Sequence, residues 1–448
     1  MHASVDTIVA VSTAPGRGAI GIVRISGPLV PHIAARICGS VPAPRRAFQC
    51  RFAFDETIDS GLALYFPGPA SFTGEDVLEL QAHGNPVVLA DLVAACVGLG
   101  ARPARPGEFT ERSFLNGKLD LAQAEAVADL IDAGSSVAAR AAVRSLSGAF
   151  SKRVEEFCSR LRELRTLVEA SLDFPEEGLD VLGQYDIPGR LGHALRALED
   201  IRNVARQGVL LKEGARIVIV GEPNVGKSSL LNALADEDLA IVTDIPGTTR
   251  DTIRAETSIE GVPIHVIDTA GLRLTDDLVE QAGIERGRAA SLGADLALVV
   301  VDARTPVVDA VDRVKKHAAL PLLQLIVRNK CDLAGDALAD GVAAPDTEIL
   351  VSAVTGYGIA ELRHAILRFI GWGESGESEG VFIARERHLA AMERARSHIE
   401  AAIVLLQGDE SLLAEELRYA ESSLEVIFGR TSPDDLLGEI FSRFCIGK

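Results

Sequence analysis

At 448 residues the chain is long enough for two to four domains, and 47% hydrophobic with 24% charged residues is ordinary globular composition. The net charge of −19 argues against a protein that coats polyanions, although it is compatible with a local basic patch that contacts RNA. Six cysteines are scattered without a C-x-x-C pair, so neither a zinc site nor a disulfide framework is predicted. Neither a signal peptide nor a membrane-spanning apolar run is visible, and we expect a cytoplasmic protein without a membrane partner.

Short β-rich runs alternate with turn signals through residues 5–80, which predicts a small α+β domain. Strands are predicted at residues 5–11, 21–25, 62–66 and 77–80, with helical spacing at 87–97. Arg24 and Glu79 each interrupt an apolar strand, and Lys118 is a third ionisable residue of interest. A charge in such a strand either faces solvent or is held for a ligand, and spacing alone favours the solvent-facing interpretation.

From Lys118 to about Leu211 the hydrophobic period becomes helical, and it resumes after a polar, glycine-rich linker at residues 371–380. Helices on both sides of one domain predict a helical domain into which that domain is inserted. The predicted domains are an N-terminal domain at 1–117, a helical domain at 118–213 and 375–448, and the inserted domain at 214–374. The first helical segment is locally basic through Arg140, Arg144, Lys152, Arg153, Arg160, Arg162 and Arg165. Solvated helix faces paired with neighbouring glutamates are the plainer interpretation, and phosphate contacts to RNA are the functional one.

The inserted domain begins with a phosphate-loop motif. An apolar run at 217–220 predicts a buried parallel strand, G-x-x-x-x-G-K-S follows at 221–228, and a helix is predicted from Ser229 onward. The backbone N–H groups of such a loop bind phosphate, Lys227 can reach the β- and γ-phosphates, and the Ser228 hydroxyl can ligate Mg²⁺. The predicted contacts of this loop are Asn224, Val225, Gly226, Lys227, Ser228 and Ser229.

Four further segments follow in an order typical of a GTPase, each at a strand end where an open α/β sheet binds ligands. The first segment, at 244–251, carries a threonine suited to Mg²⁺ in a loop that can sense the γ-phosphate. The second, at 265–271, contains an acid that can hold the Mg²⁺ shell and a glycine whose N–H can contact the γ-phosphate. The last two, at 329–332 and 352–353, are assigned to recognition of the base. The predicted nucleotide contacts are Thr243, Asp244, Ile245, Pro246, Gly247, Thr248, Thr249, Asp268, Thr269, Ala270, Gly271, Asn329, Lys330, Asp332, Ser352 and Ala353.

Asp332 predicts the base, because its carboxylate can accept hydrogen bonds from two guanine N–H groups that adenine lacks. GTP is therefore preferred over ATP. How water is activated is open, since Leu272 occupies the position where small signalling GTPases carry glutamine. Glu280 is a candidate, although spacing alone favours a surface acid, and Arg250 or a bound monovalent cation could supply positive charge.

At this point the motifs match a known family. Its signatures lie at residues 6–10, 18–27, 71–77, 105–110 and 115–120, and at the terminal run Phe444 to Lys448. Over essentially its whole length the chain resembles the bacterial and organellar tRNA modification GTPases called MnmE or TrmE. The resemblance implies an N-terminal folate-binding α+β domain, an all-α helical domain and an inserted α/β G domain. It also implies a homodimer built through the N-terminal domains.

The activity that the resemblance implies is synthesis of the 5-carboxymethylaminomethyl group on the wobble uridine of certain tRNAs. The implied partner is the flavoprotein MnmG (GidA), in a heterotetramer. The implied one-carbon donor is 5-formyl- or methylene-tetrahydrofolate. GTP hydrolysis would be driven by K⁺-dependent dimerisation of the G domains, with Mg²⁺ bound beside the nucleotide.

Residue roles follow from the resemblance at matching positions. K⁺ would be held by Asn224, Thr243, Ile245 and Thr248, and Mg²⁺ by Ser228 and Thr249. Glu280 matches the acid that orients the hydrolytic water. Arg24, Glu79, Lys118 and Lys448 match residues of the folate site, which reverses the solvent-facing interpretation of Arg24 and Glu79. One departure is Asn85, where the family pattern predicts glycine. If the position needs a positive φ, asparagine is the best substitute, and we expect local adjustment without loss of function.

Two rival functions share a similar G domain. One is a GTP-regulated ribosome-assembly factor, which usually carries a recognisable RNA-binding appendage in place of the folate-type domain and the Cys-Ile-Gly-Lys end. The other is a membrane-remodelling GTPase, which neither a lipid-anchor motif nor a basic amphipathic helix supports.

Overall fold

A computed structural model of the chain describes residues 6–173, 181–234, 253–268, 293–317, 320–335, 348–373, 380–406, 410–430, 434–442 and 444–447. The chain forms two compact units. The first comprises Met1–Asp132, Ala142–Glu199 and Ala390–Lys448, and the second comprises Ala133–Ala141 and Asp200–Leu389. These units do not locate the three predicted domain boundaries, which stay predictions.

One sheet of the first unit contains six strands. They are β1 (Ile8–Val11), β2 (Gly18–Ser26), β3 (Phe48–Phe54), β4 (Glu56–Phe66), β5 (Val77–Gly84) and β6 (Arg102–Pro103). Their order is β3-β4-β5-β2-β1-β6, antiparallel throughout except for the β1–β6 pair. Helices α1 (Val30–Cys38) and α2 (Pro86–Gly98) share a hydrophobic core with this sheet, which includes Phe52, Leu80 and Leu92. The strands predicted from sequence lie in β1, β2, β4 and β5, whereas β3 and α1 were not predicted.

Asn85 has a different role from the one expected. Its φ is −96°, and its side chain accepts a hydrogen bond from the Val87 backbone N–H at 2.9 Å. It is therefore the N-cap of α2, followed directly by Pro86. This position does not need a positive φ, because an N-cap residue has extended backbone angles that any residue adopts.

The helical part of the first unit uses chain from both sides of the inserted domain. Its helices are α3 (Glu108–Leu115), α4 (Leu121–Ile131), α5 (Ser136–Leu146), α6 (Ala149–Asp173), α7 (Val181–Gln184) and α8 (Ile187–Glu213), with part of α5 and of α8 in the second unit. Helix α4 begins with a capping box between Asp120 and Gln123. This all-α region confirms the prediction of a helical domain.

The helices described after the inserted domain are α12 (Glu386–Leu405), α13 (Glu410–Phe428) and α14 (Asp434–Ser442). Helix α6 packs against α13, and both bury leucines. Arg162 and Arg165 of α6 pair with Glu421 of α13 at 2.7 and 3.5 Å. These two arginines therefore support the plainer interpretation of the basic segment, although their partner is distant in sequence.

In the part of the second unit that the structure describes, six strands form one sheet. They are β7 (Ala215–Val220), β8 (Ile253–Ile259), β9 (Val262–Asp268), β10 (Leu296–Asp302), β11 (Gln324–Asn329) and β12 (Glu348–Leu350). The order is β12-β11-β10-β7-β9-β8, parallel except for the β8–β9 hairpin. Its helices include α9 (Lys227–Leu234), α10 (Val307–His317) and α11 (Ile359–Phe369). The predicted α/β fold is thereby confirmed, and the carboxyl ends of β7, β10 and β11 meet at one edge.

Candidate functional site

The phosphate loop joins the end of β7 to the start of α9, as the sequence predicts. Gly226 has φ +96°, and a Cβ on it would lie 2.3 Å from Asn329 Nδ2. Both the backbone angle and the close approach therefore require glycine. Asn224 also lies in the left-handed region, with φ +66°, where asparagine is tolerated better than most residues.

The charged and hydroxyl groups of the loop lie where a phosphate site needs them. Lys227 Nζ donates to the carbonyl oxygens of Gly221 and Glu222 at 2.8 and 2.9 Å, which holds the ammonium over the loop. Ser228 and Ser229 are exposed in the first turn of α9. The helix dipole and the exposed hydroxyl together suit a phosphate with an associated Mg²⁺.

Asn329 connects three of the predicted segments. It is 2% exposed, and its Nδ2 donates to the Val225 carbonyl of the phosphate loop at 2.9 Å. Its Oδ1 accepts from the Ala353 N–H at 3.1 Å. The Asn329 amide therefore links both base-recognition loops to the phosphate loop. Asparagine is needed at this position because the link uses one donor and one acceptor.

Lys330 and Asp332 follow Asn329 on the surface. Lys330 has φ +65° and donates from Nζ to the Asn224 carbonyl at 2.5 Å. Asp332 is exposed in the short turn Cys331–Leu333. Ser352 is fully buried and its hydroxyl accepts from the Thr355 N–H at 3.2 Å, which shapes the neighbouring loop. The structure thus brings together the predicted phosphate and base segments and leaves the Asp332 carboxylate accessible.

Several predicted residues lie outside the described part of the chain. They are Thr243, Asp244, Ile245, Pro246, Gly247, Thr248, Thr249, Arg250, Thr269, Ala270, Gly271, Glu280 and Lys448. Asp268 ends β9, and its backbone pairs with Ile219 of β7. It therefore leaves the sheet beside the strand that leads into the phosphate loop.

A second group of predicted residues meets in the N-terminal domain. Arg24 of β2 and Glu79 of β5 are cross-strand partners, joined by hydrogen bonds of 2.8 and 3.0 Å from the guanidinium to Oε1. The guanidinium also lies 5.7 Å from the Phe72 ring centroid and 5.8 Å from that of Phe109. Both charged side chains are less than one quarter exposed, so the simple solvent-facing interpretation does not describe them.

Lys118 is attached to the same loop as Phe72. Its Nζ donates to the Pro69 carbonyl at 3.0 Å, and its backbone N–H donates to Ser113. Ser113 in turn donates from its hydroxyl to the Phe72 carbonyl at 2.7 Å. Helix α3 and the residues that follow it therefore position this loop beside Arg24.

The C-terminal segment reaches the same sheet. Ile446 forms a β-bridge with Pro106, and the Gly447 carbonyl accepts from the Ser12 hydroxyl at 3.0 Å. A Cβ on Gly447, which has φ +93°, would lie 2.2 Å from the Val11 carbonyl oxygen. Cys445 is exposed, so packing does not explain its presence. The end of the chain is thus docked next to β1, whose Ala10 pairs with Arg24.

Sequence reasoning missed the buried ion pairs that support this region. Arg112 is 3% exposed and contacts Glu75 at 3.0 Å, Asp6 at 2.8 Å and Glu108 at 3.2 Å. Burial raises the pKa of Glu108, but hydrogen bonds from Arg102, the Arg105 N–H and Arg112 outweigh it and lower the pKa to about 2. Glu75 and Glu108 stand in signature runs of the sequence, but nothing local identifies their common partner.

Comparison with known proteins identifies two regions. The model described as "MnmE helical domain" matches residues 121–445, and the model described as "GTP-binding protein TrmE N-terminus" matches residues 7–118. Among solved structures, the G domain of the T. maritima FeoB iron transporter matches with 23% identity and a TM-score of 0.25, covering 35% of this chain and 98% of that chain. That score is too low to support an inference.

Curated relatives match over the full length. The tRNA modification GTPase MnmE of Chromobacterium violaceum is 55% identical over 99% of this chain and 98% of its own. That of Thiobacillus denitrificans is 55% identical with the same coverage, and that of Neisseria meningitidis serogroup A is 51% identical over the whole of both chains. The chain therefore belongs to the MnmE family of tRNA modification GTPases.

Proposed function

We propose that this protein hydrolyses GTP and, together with the flavoprotein MnmG, installs the 5-carboxymethylaminomethyl group on the wobble uridine of certain tRNAs. The proposal that the protein hydrolyses GTP rests on the Asn329 amide, whose hydrogen bonds link the phosphate loop to both base-recognition loops. Membership of a family whose relatives are named tRNA modification GTPases supports the tRNA part. Among the described residues, no helix has the length and apolar character needed to cross a membrane.

Guanine selectivity is assigned to Asp332, whose exposed carboxylate is free to accept from the N1 and 2-amino groups of the base. Asp332→Asn shifts the preference from guanine toward xanthine nucleotides, because the carboxamide offers a donor to the xanthine 2-oxygen. Competition between GTP and XTP for the full-length protein measures the shift. Unchanged GTP affinity in the variant contradicts the assignment.

Hydrolysis is assigned to residues around the phosphates. Lys227 neutralises charge on the β- and γ-phosphates, Ser228 and Thr249 hold Mg²⁺, and Glu280 orients the water, with Arg250 as a further source of positive charge. A Mg²⁺ held by these residues would supply neutralisation of the charge on the phosphates. The exposed Ser228 hydroxyl at the start of α9 fits that role.

A K⁺ ion is assigned to Asn224, Thr243, Ile245 and Thr248. Of these, Asn224 is described, and its exposed side chain on a left-handed backbone suits a ligand to a cation outside the loop. Bound K⁺ would supply positive charge beside the phosphates, and we expect dimerisation of the G domains to depend on it. Turnover of GTP in K⁺ and in Na⁺ tests this, and equal rates contradict it. Asn224→Ala removes the difference between the two salts.

Folate binding is assigned to Arg24, Glu79, Lys118 and Lys448. The charged pair beside two aromatic rings and the docked C-terminal segment support this assignment, because a pterin presents a flat ring with donors and acceptors and a glutamate tail presents carboxylates. Calorimetric titration with 5-formyl-tetrahydrofolate tests it. Arg24→Ala abolishes binding, whereas Arg51→Ala on the edge strand β3 does not. Wild-type affinity after removal of Lys448 excludes that residue.

The complete activity is tested in cells that lack this protein. We expect wobble uridines without the 5-carboxymethylaminomethyl group, restored by the wild-type chain and not by Lys227→Ala. We also expect the protein to co-purify with MnmG as a heterotetramer. Unmodified wobble uridines with normal ribosomal subunits exclude the rival ribosome-assembly function, whereas the reverse pattern supports it.

A further inference from the structure

Four charged side chains lie around the base-recognition loop, and two of them have no part in the proposed function. Asp302 ends β10 and is paired in the sheet with Asn329 of β11. Arg304 stands two residues later. Lys330 and Asp332 lie in the base-recognition loop, and both are predicted nucleotide contacts. The contacts of Asp302 with its neighbours determine where the Lys330 ammonium lies.

Asp302 contacts both cations with one carboxylate. Its Oδ2 lies 3.3 Å from Lys330 Nζ and 2.8 Å from Arg304 Nη2, and its Oδ1 accepts from Arg304 Nε at 2.9 Å. The Arg304 guanidinium, and then Lys330, hold the pKa of the Asp302 carboxyl well below its usual range although burial opposes this. Asp302 therefore stays ionised and keeps both cations beside it.

The position of the Lys330 ammonium depends on this ionised carboxylate. Its Nζ makes a second contact, donating to the Asn224 carbonyl of the phosphate loop at 2.5 Å. Its backbone is in the left-handed region, which limits where the side chain can reach. Without Asp302, the ammonium would lose the carboxylate that holds it beside the end of β10.

We infer that Asp302 is a positioning residue for guanine nucleotide binding, which holds Lys330 between the base loop and the phosphate loop. This inference rests on the proposed GTPase function. Arg304 pairs with both oxygens of the same carboxylate, and its side chain is 48% exposed. An exposed ion pair of this kind contributes little on its own. The Lys330 contact is thus the one that carries the effect.

The test is a double-mutant cycle on the full-length protein, with GDP binding measured by calorimetry. Asp302→Asn keeps the shape and still accepts the Arg304 backbone N–H, and we expect GDP affinity to fall about tenfold. Lys330→Ala lowers it by more, about 30-fold. The double variant then binds GDP within about twofold of Lys330→Ala, because Asp302 acts through Lys330.

Arg304→Ala is the matched control, and we expect its GDP affinity to stay within about twofold of wild type. Thermal unfolding without nucleotide checks that each variant is folded, and Asp302→Ser replaces Asp302→Asn if the latter is not. Three results overturn the inference: unchanged affinity in Asp302→Asn, a double variant that loses the product of the two single effects, or a loss in Arg304→Ala equal to that of Asp302→Asn. A wild-type protein that does not bind GDP contradicts the proposed function itself.

Discussion

The charged side chains around Arg112 and those around the phosphate loop are held in opposite ways. Arg112 and Glu108 are almost fully buried, and each has side-chain partners of opposite charge. Lys227 donates to two backbone carbonyls of the phosphate loop, and Asp332 is exposed. The first arrangement satisfies its charges within the fold, whereas the second keeps charged groups in place and accessible.

The difference separates stability from binding. A buried ion pair that loses one member leaves an uncompensated charge, so its mutation destabilises the fold. A surface cation fixed by carbonyl oxygens can be removed with little effect on folding, but its removal weakens binding of the anion that it contacts. The same substitution, removal of one charge, is therefore expected to reduce stability in one region and activity in the other.

The largest effect is expected at Lys227. Lys227→Ala lowers the rate of GTP hydrolysis by about 10²- to 10³-fold, equivalent to roughly 3–4 kcal/mol, because the β- and γ-phosphates lose a cation that neutralises their charge. Steady-state phosphate release measures it. Arg313→Ala is the control, since Arg313 pairs with Glu222 of the same loop at 2.6 Å and should leave the rate nearly unchanged. Loss of folding in Lys227→Ala would break the comparison.

The second effect concerns Glu108. Its pKa of about 2, against 4.5 unperturbed, implies about 3 kcal/mol of stability that is fully present above pH 4.5 and is lost as the pH falls toward 2. Glu108→Gln therefore loses about 3 kcal/mol at pH 7, and its difference from wild type shrinks in acid. Hydrogen exchange of the α3 amides measures this.

Glu111 on the same helix is the matched control for Glu108. Burial raises the pKa of Glu111, so Glu111→Gln removes a charge that the fold does not stabilise. We expect no loss of α3 protection at pH 7. Equal losses of protection in the two variants would contradict the assignment of this stability to the ion pairs of Glu108.

A smaller effect is expected at Asn329. This residue is buried, like the Arg112 cluster, but its amide links the loops of the nucleotide site. Asn329→Ala removes two hydrogen bonds and raises the GDP dissociation constant about 30-fold, or roughly 2 kcal/mol. Gln324→Ala, at the other end of β11, leaves affinity unchanged. Normal GDP binding by Asn329→Ala would mean that the loops are held by other contacts.

The smallest effect is expected at Asn85, where no charge is involved. Asn85→Ala removes the N-cap of α2 and costs about 1 kcal/mol, whereas Asn85→Asp keeps the acceptor and is near neutral. Hydrogen exchange at the first turn of α2 distinguishes them. An Asn85→Ala variant as protected as wild type would show that Pro86 alone sets the start of the helix.

The same division explains what the sequence could predict. The phosphate loop is a local pattern between a strand and a helix, so its residues could be assigned before the structure was known. The Arg112 cluster joins residues 6, 75, 108 and 112, and no local pattern reports a contact over such separations. Asp302 was also missed, because its contact with Lys330 depends on which strands are neighbours.

Helices α6 and α13 also have a consequence for synthesis of the chain. They bury leucines against each other and share the Arg162–Glu421 ion pair, yet about 240 residues separate the end of α6 from the start of α13. At about 5–20 residues per second, roughly 10 to 50 s pass on the ribosome before α6 meets its partner. During that interval the apolar stripe of α6 is a natural substrate for a chaperone, and the inserted domain has time to fold first.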